Sequence, residues 1–408
     1  MKTKLSTNDQ FSLFDQSVIQ TILWIEKNVQ GKWKFNKKTR LIDVNGSFIC
    51  SNQELKNFRG VKFGIVTGDF RCQYNQLVNL EGAPQEVCGD FDCSNNKLSS
   101  LIGGPSKVGH LYDCSFNKLV SLDGCAKEIN GGLNCGNNLL QSFEGAPSKL
   151  ESLSCERNML KSLIGLPLLE RDFDCSNNFL TSLEGCPNKI MGFFMCDHNK
   201  LKTLEHGPQF VEDSYSCHNN LLESLIGAPK ETEAQFDCSH NNLTSLENAP
   251  SKVWSFDCSN NKLTNLIGAP QKVEFAFNCS HNKLVTLKGA PKSVGDDFFC
   301  EHNSLVNLEG APEKIGDRFL FHKNKIESLE GPVIQCNSFH GDGNKIPDSA
   351  LRLIFETMVA KQIPYMLALG LCKKEIHKRT WDNLNKTKPI SEDLVLGVNV
   401  LNRFGTFS

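Results

Sequence analysis

The stretch Phe91–Pro105, FDCSNNKLSSLIGGP, returns almost unchanged as Phe256–Pro270, FDCSNNKLTNLIGAP. Its third residue marks a period. Thirteen of the eighteen cysteines, from Cys50 through Cys300, form one series whose spacing stays between 20 and 22 residues, and Phe321 and Gly341 continue it. Internal repetition at this period signals an array of stacked units rather than a chain of separate globular domains. Counting from the series residue as position 0, the chain holds about fifteen coils.

Each position of the coil has a physical reading. Phe at −2 and Cys at 0 place two apolar side chains on one side of a short strand, because strand side chains alternate. Leu follows at +5 and a second apolar residue at +8, as in Leu98 with Leu101 and Leu263 with Leu266. Asn occupies +3 in fourteen consecutive coils, from Asn75 through Asn344. A carboxamide both donates and accepts, so this column is expected to satisfy backbone groups of its own and adjacent coils. The first coil departs, with Asn52 one place early and Gln53 at the expected site, as in an irregular cap. A Gly-Ala-Pro corner, as at Gly145–Pro147, predicts a tight bend in place of a helix.

The segment FxCxxNxL matches the strand and turn of a leucine-rich repeat, with Phe and Cys standing where Leu is usual. The fold expected is a β-rich solenoid, a leucine-rich-repeat horseshoe with a parallel concave sheet and short helical caps at both ends. Residues 1–43 read as an N-terminal helical cap and basic hairpin, 44–346 as the solenoid, and 347–408 as a C-terminal helical cap. In the first cap, Phe11, Phe14, Val18, Ile22, Ile25 and Val29 predict a one-sided helix over 9–30, ending near Gly31. In the second, Asp348 is placed to cap a helix carrying Leu351, Ile354, Phe355 and Met358, and Tyr365–Asn383 reads as another.

Composition narrows function. A net charge of −2 with 22% charged residues gives no global pull toward nucleic acid or membrane. The one basic run, Lys32 to Arg40 around Trp33 and Phe35, reads as a solvated hairpin. No uncharged apolar run reaches 18 residues, and no secretory leader follows the start, so a cytoplasmic setting with reduced thiols is expected. A cysteine every coil is not a metal ladder, since zinc sites need clustered ligands of the CxxC type, and no CxxC occurs. Cys372, near Lys373, Lys374 and His377, is a weak nucleophile candidate because a separation of five turns the histidine away on a helix. No cofactor, small-molecule substrate or catalytic residue is expected.

The candidate sites are therefore for a protein partner. Residues at −1 and +1 face the concave surface, where solenoids usually bind. There Asp92, Asp113, Asp174, Asp237 and Asp257 give way to Met195, Phe299 and Leu320, with Phe193 and Arg318 two residues earlier on the same face. Exposed aromatic and Arg side chains make interface anchors. Histidines recur beside them: His198, His240, His281 and His302 at +2, His218 and His322 at +1. Other residue types share those columns, so they read as tolerant exposed sites, with His302 and His322 closest to the apolar group.

The coil LTSLEGCPNKI (180–190) with the FxCxxNxL after it resembles the short bacterial leucine-rich repeats of type III secreted effectors of the ubiquitin-ligase kind. Only the repeat matches, and the ligase activity of those effectors has no counterpart to carry over. VNGSFICSN (44–52), FGIVTGDFRC (63–72) and the GAP or GCP corners more closely resemble repeat proteins encoded by large tailed bacteriophages and some bacteria, over about 24–345. That resemblance implies a viral or bacterial setting and no particular activity. Two functional classes stay open: a recognition protein that binds another protein, and a structural, virion-associated component of an assembled particle.

Overall fold

The computed structural model describes residues 16–327, 331–332 and 334–345. The helices expected after Pro347, together with Cys372 and His377, lie outside the described residues, as do Phe11 and Phe14. Among the described residues there is one helix, α1 (Gln16–Asn28), then a hairpin of β1 (Val29–Asn36) and β2 (Leu41–Ile49), then strands of two to four residues. None of the described helical sequence is long and apolar enough to cross a membrane. Contacts divide the chain into two compact units, Met1–Phe179 and Leu180–Ser408, and the same coil builds each.

In the first unit, the strands at positions −2 and −1 stack in parallel and in register, with Phe70 paired to Phe91, Phe91 to Tyr112 and Leu133 to Leu153. In the second, Tyr215, Phe236, Phe256, Phe277, Phe298 and Phe319 continue the same pairing from coil to coil. The result is a parallel β-solenoid of about 14 turns of the leucine-rich-repeat kind. A second parallel ladder runs through the link of each coil, pairing Val87 with Val108 and Val273 with Val294. The Val or Ile of that link is buried as well, as Val87, Val108, Val273 and Val294 show.

The core is the repeat itself. Phe91, Cys93, Leu98, Leu101 and Val108 are all fully buried, and equivalent residues are buried coil after coil. Phe256, Phe277 and Phe298 stack with ring centroids 5.5 Å apart and planes within 13° of parallel. Burying four or five such side chains at roughly 1.5–3 kcal/mol each offsets the entropy of ordering about twenty residues only when a neighbouring coil covers them.

The Asn column does what its chemistry demands. Asn96 Nδ2 donates to the carbonyls of Cys72, Cys93 and Ser94 at 3.0–3.1 Å, while its Oδ1 accepts from Leu77 N at 2.9 Å. The same set recurs at Asn261, with Cys238, Cys258 and Ser259 carbonyls and the Leu243 N–H. One buried carboxamide therefore ties two coils together.

Two positions of each coil are left-handed. At +2, φ lies between 50° and 56° from Asn52 through Lys323, and the corner glycines at +10, from Gly82 to Gly310, have φ of 83–96°. A Cβ on Gly145 would stand 2.4 Å from the Leu122 carbonyl carbon. Where Gly is missing at +10, His206 and Asn248 take its place. Asn and His are the non-glycine types that tolerate this conformation best.

The N-terminal end is closed by α1 and the hairpin. The helix buries Trp24, Ile25 and Asn28, whereas Val18 and Ile22 of the expected stripe stay exposed. The face is turned because the indole must reach the first coil: Trp24 packs edge-on against Phe48 at 5.3 Å. Gln53, the substitute for Asn, accepts from Trp24 Nε1 and donates to Asn28 Oδ1, so the first coil is fastened to the helix instead of to a preceding coil. The helix ends at Asn28 rather than near Gly31, which lies in β1 opposite Gly46. Lys32 to Arg40 form the solvated end of this hairpin, with Trp33 Nε1 held by Glu26.

Candidate partner-binding face

The side chains at −1 form a continuous column in each unit, because the strands pair in register. In the first unit Arg71, Asp92, Asp113, Asn134, Ser154 and Asp174 adjoin in turn. The aspartates are not free recognition groups. Asp92 Oδ1 accepts from both the N–H and the hydroxyl of Ser94, at 3.0 and 2.7 Å, and Asp113 does the same with Ser115. Asp174, Asp237 and Asp257 hold the N–H of Ser176, Ser239 and Ser259. The recurring Asp-Cys-Ser is a side-chain-to-backbone turn that ends each of these strands. Burial raises the Asp92 and Asp257 carboxyls above the usual range, against the pull of these hydrogen bonds.

In the second unit Met195 and then Ser216 stand at −1, and the coil of Cys217 takes its turn acceptor from the coil before it. Asp197, at +1, accepts from the Ser216 hydroxyl at 2.6 Å and from His218 N at 2.9 Å, the N–H that a −1 aspartate would otherwise hold. Burial pushes Asp197 up to about 6, with the Ser216 bond and His218 acting the other way.

At the other end of the second unit the turn pair disappears altogether. Positions −1 and +1 become Phe299 with Glu301, Leu320 with His322, and His340 with Asp342. Phe299 pairs with Leu320 and Leu320 with His340, all in register. Phe299 and Leu320 are half-buried. Arg318 lies over the Phe299 ring, 5.8 Å from its centroid. It is also committed elsewhere: its Nε donates to Asp297 Oδ1 at 3.0 Å, and its Nη2 to Asp297 Oδ2. The exposed anchor read from the sequence is thus also one half of a bidentate ion pair, on a side chain that shapes the face.

Phe299, Arg318 and Leu320 come together, and His302 and His322 lie beside them, joined edge-to-face at 5.6 Å. Phe193 and Met195, also half-buried, do not join them. Met195 is separated from Phe299 by Ser216, Asp237, Asp257 and Asn278 in the column, roughly 24 Å at the spacing of paired strands.

The histidine columns have a conformational origin. His198, His240, His281 and His302 all sit at the left-handed +2 position, which explains their alternation with Asn better than tolerance of exposure does. His281 and His302 stack at 4.1 Å. Burial and neighbouring histidines lower the affinity of His302 and His322 for protons, so both favour the neutral imidazole. The ladder cysteines are buried free thiols; burial pushes Cys50 up to about 12 and Cys93 well above its ordinary value, which leaves them as apolar packing.

One exposed aromatic pair escaped the sequence reading. Trp254 and Phe275 at −4 are 47% and 50% exposed with ring centroids 5.8 Å apart. The signal was an aromatic residue two places before the strand Phe in VWSFDC and VEFAFNC, where most coils have a small or polar residue.

No protein-family model matches the chain, and no curated protein is significantly similar to it. Solved structures similar to it include YopM from Yersinia enterocolitica, at 16% identity over 74% of this chain and 87% of that one, with a TM-score of 0.41. YopM from Yersinia pestis, a leucine-rich effector protein, is 19% identical over 78% of this chain and 97% of that one, with a TM-score of 0.49. The leucine-rich repeat domain of APL1B is 17% identical over 78% and 89%, with a TM-score of 0.44.

Proposed function

We propose that the protein is a non-catalytic scaffold that binds a protein partner on the strand face around Phe299 and Leu320. The observation that carries this reading is the change in the −1 column. Where the Asp and Ser pair is present, the Asp side chain is used by the coil's own turn. In the coils of Phe299 and Leu320 neither Asp nor Asn stands at −1, the turn is gone, and two apolar side chains stand side by side on the open face. Half-buried aromatic and aliphatic groups of this kind, with an Arg laid over one of them, are suited to anchor a partner. Asp296, Asp297 and Asp317 leave the surroundings acidic beyond what Arg318 neutralises, so the partner surface that fits carries an apolar side chain beside basic groups. The free thiols of the seventeen described cysteines suit a reducing compartment, and a cytoplasmic setting belongs to the same proposal.

The test compares affinity capture by the unaltered chain, by the double variant Phe299→Ser and Leu320→Ser, and by Asp92→Asn as a control, each read by mass spectrometry. Arg318 is left in place so that its pair with Asp297 stays intact. A protein recovered by the first and third and lost with the second is the expected result. Equal recovery by all three overturns the assignment of the face. Recovery only within purified particles at fixed copy number points to a structural component instead.

A further inference from the structure

Among the described residues, His322, His340 and Asp342 each bring one ligand atom to within 4.8 Å of the other two. They belong to two consecutive coils, His322 at +1 of the coil of Phe321, and His340 and Asp342 on either side of Gly341. Backbone pairing sets their spacing: Phe321 N donates to His340 O and Lys323 N to Asp342 O, both at 2.9 Å. The His322 and His340 rings meet edge-to-face at 4.9 Å. His340 Nε2 stands 2.6 Å from Asp342 Oδ1, yet Asp342 Oδ1 is buried with no hydrogen-bond partner, so the contact is close without being aligned as a hydrogen bond. His322 Nδ1 is buried without a partner as well. Next in the same +1 column, Glu301 Oε2 is a third buried oxygen or nitrogen with none.

Such orphaned atoms are costly in a folded chain, and here two of them belong to residues, His322 and Asp342, that converge with the His340 imidazole. We infer that His322, His340 and Asp342 bind one divalent transition-metal ion of the zinc class. Two imidazole nitrogens and a carboxylate oxygen are its usual borderline donors, and three protein ligands leave a fourth position open. Ligand atoms around tetrahedral zinc lie about 3.3 Å apart, so the ion would spread the His340 and Asp342 pair and draw His322 in by small side-chain rotations. The Glu301 carboxylate adds negative charge beside the site. The ladder thiols do not compete, since they are buried and protonated. Metal binding here needs no partner, because all three ligands come from this chain.

The experiment titrates Zn(II) and Co(II) into the full chain carrying Cys88→Ser and Cys372→Ser, without any partner. Calorimetry gives stoichiometry and affinity, and the Co(II) visible spectrum reports the ligand type. One ion per chain is expected, with a nitrogen and oxygen spectrum lacking thiolate charge transfer. His322→Ala and Asp342→Asn should each weaken binding at least about tenfold, while His240→Asn, several coils away, leaves it unchanged. Circular dichroism of each metal-free variant checks folding, and the isosteric Asp342→Asn keeps the test valid should an alanine disturb the coil. Absence of stoichiometric binding by the parent chain overturns the inference, as does binding that survives both His322→Ala and Asp342→Asn.

Discussion

The coils of Asp92 and Asp113 and those of Phe299 and Leu320 share a backbone, a Phe or Tyr under the strand, a buried series residue and an Asn at +3, yet they use positions −1 and +1 in opposite ways. In the first pair of coils both positions are consumed by a turn that the coil makes with itself. In the second they carry Phe with Glu and Leu with His, which make no such turn. The scaffold of a repeat is thus marked by what stays the same, and the surface proposed for recognition lies where a local structural duty has been dropped. Arg71 and Arg318 sharpen the contrast: each pairs with aspartates just before the strands, Asp69 and Asp90 in one case and Asp297 in the other, so an arginine on this face is not by itself a sign of binding.

If the scaffold is common to both regions, removing it should cost the same in both. Asn138→Ala and Asn324→Ala each strip three backbone carbonyls and one N–H of a buried partner. At about 1 kcal/mol or more per group, each should cost roughly 3 kcal/mol or more, read from the urea midpoint of the full chain. A loss at Asn324 much smaller than that at Asn138 breaks the comparison at its root, since the two regions then do not share a scaffold.

The coil of Met195 is the intermediate case, and it has a pH signature. Folded Asp197 holds its proton up to about 6, whereas an unstructured aspartate lets go near 3.8. Between those values the folded chain binds more protons than the unfolded one, so stability falls as pH rises from about 4 to about 6. Asp197→Asn keeps an oxygen for Ser216 and His218 and should flatten that window. It should gain on the order of 1–3 kcal/mol relative to the parent at pH 7. Thermal unfolding across pH 4–7 reads this out; parallel profiles for parent and variant would show that displacing the carboxylate to +1 carries no cost.

The turn can also be put back where it is missing. Phe299→Asp with Glu301→Ser rebuilds Asp-Cys-Ser in the coil of Cys300. It should raise stability by about 1 kcal/mol, from the new turn and the removal of an unpartnered buried carboxylate oxygen. Partner capture should be lost in the same protein. A variant that is more stable and still captures the partner separates the two halves of the argument and leaves the face without a role.

Much of this division was legible in the sequence. Period, Asn column, buried Phe and Cys, and the N-terminal helix with its hairpin follow from residue types that recur at fixed spacing, since a repeated requirement leaves a repeated letter. The rest was hidden for identifiable reasons. The Asp-Cys-Ser turn looked like an acidic surface because alternation says which way Asp points and nothing about what it bonds. Trp24 and Gln53 could not be paired from spacing alone. The triad of His322, His340 and Asp342 was missed because its last coil has Gly in place of Cys, and because its ligands divide between columns that were read separately.

The +2 column gives the finest test, since there one coil should not differ from another at all. Asn95 has φ of 53° and His240 φ of 52°, and each is selected by the left-handed backbone rather than by a ligand. Exchanging them, as Asn95→His and His240→Asn, should therefore change stability by no more than a few tenths of a kcal/mol, whereas Ala at either site should cost about 1 kcal/mol, because its side chain pays the left-handed penalty with no local hydrogen bond in return. Gly at either site should be tolerated. Urea midpoints resolve differences of this size when all the variants are measured side by side. A histidine that resists exchange while Asn95 accepts it would mean that the column carries chemistry after all, and would move His240 from the scaffold to the recognition surface.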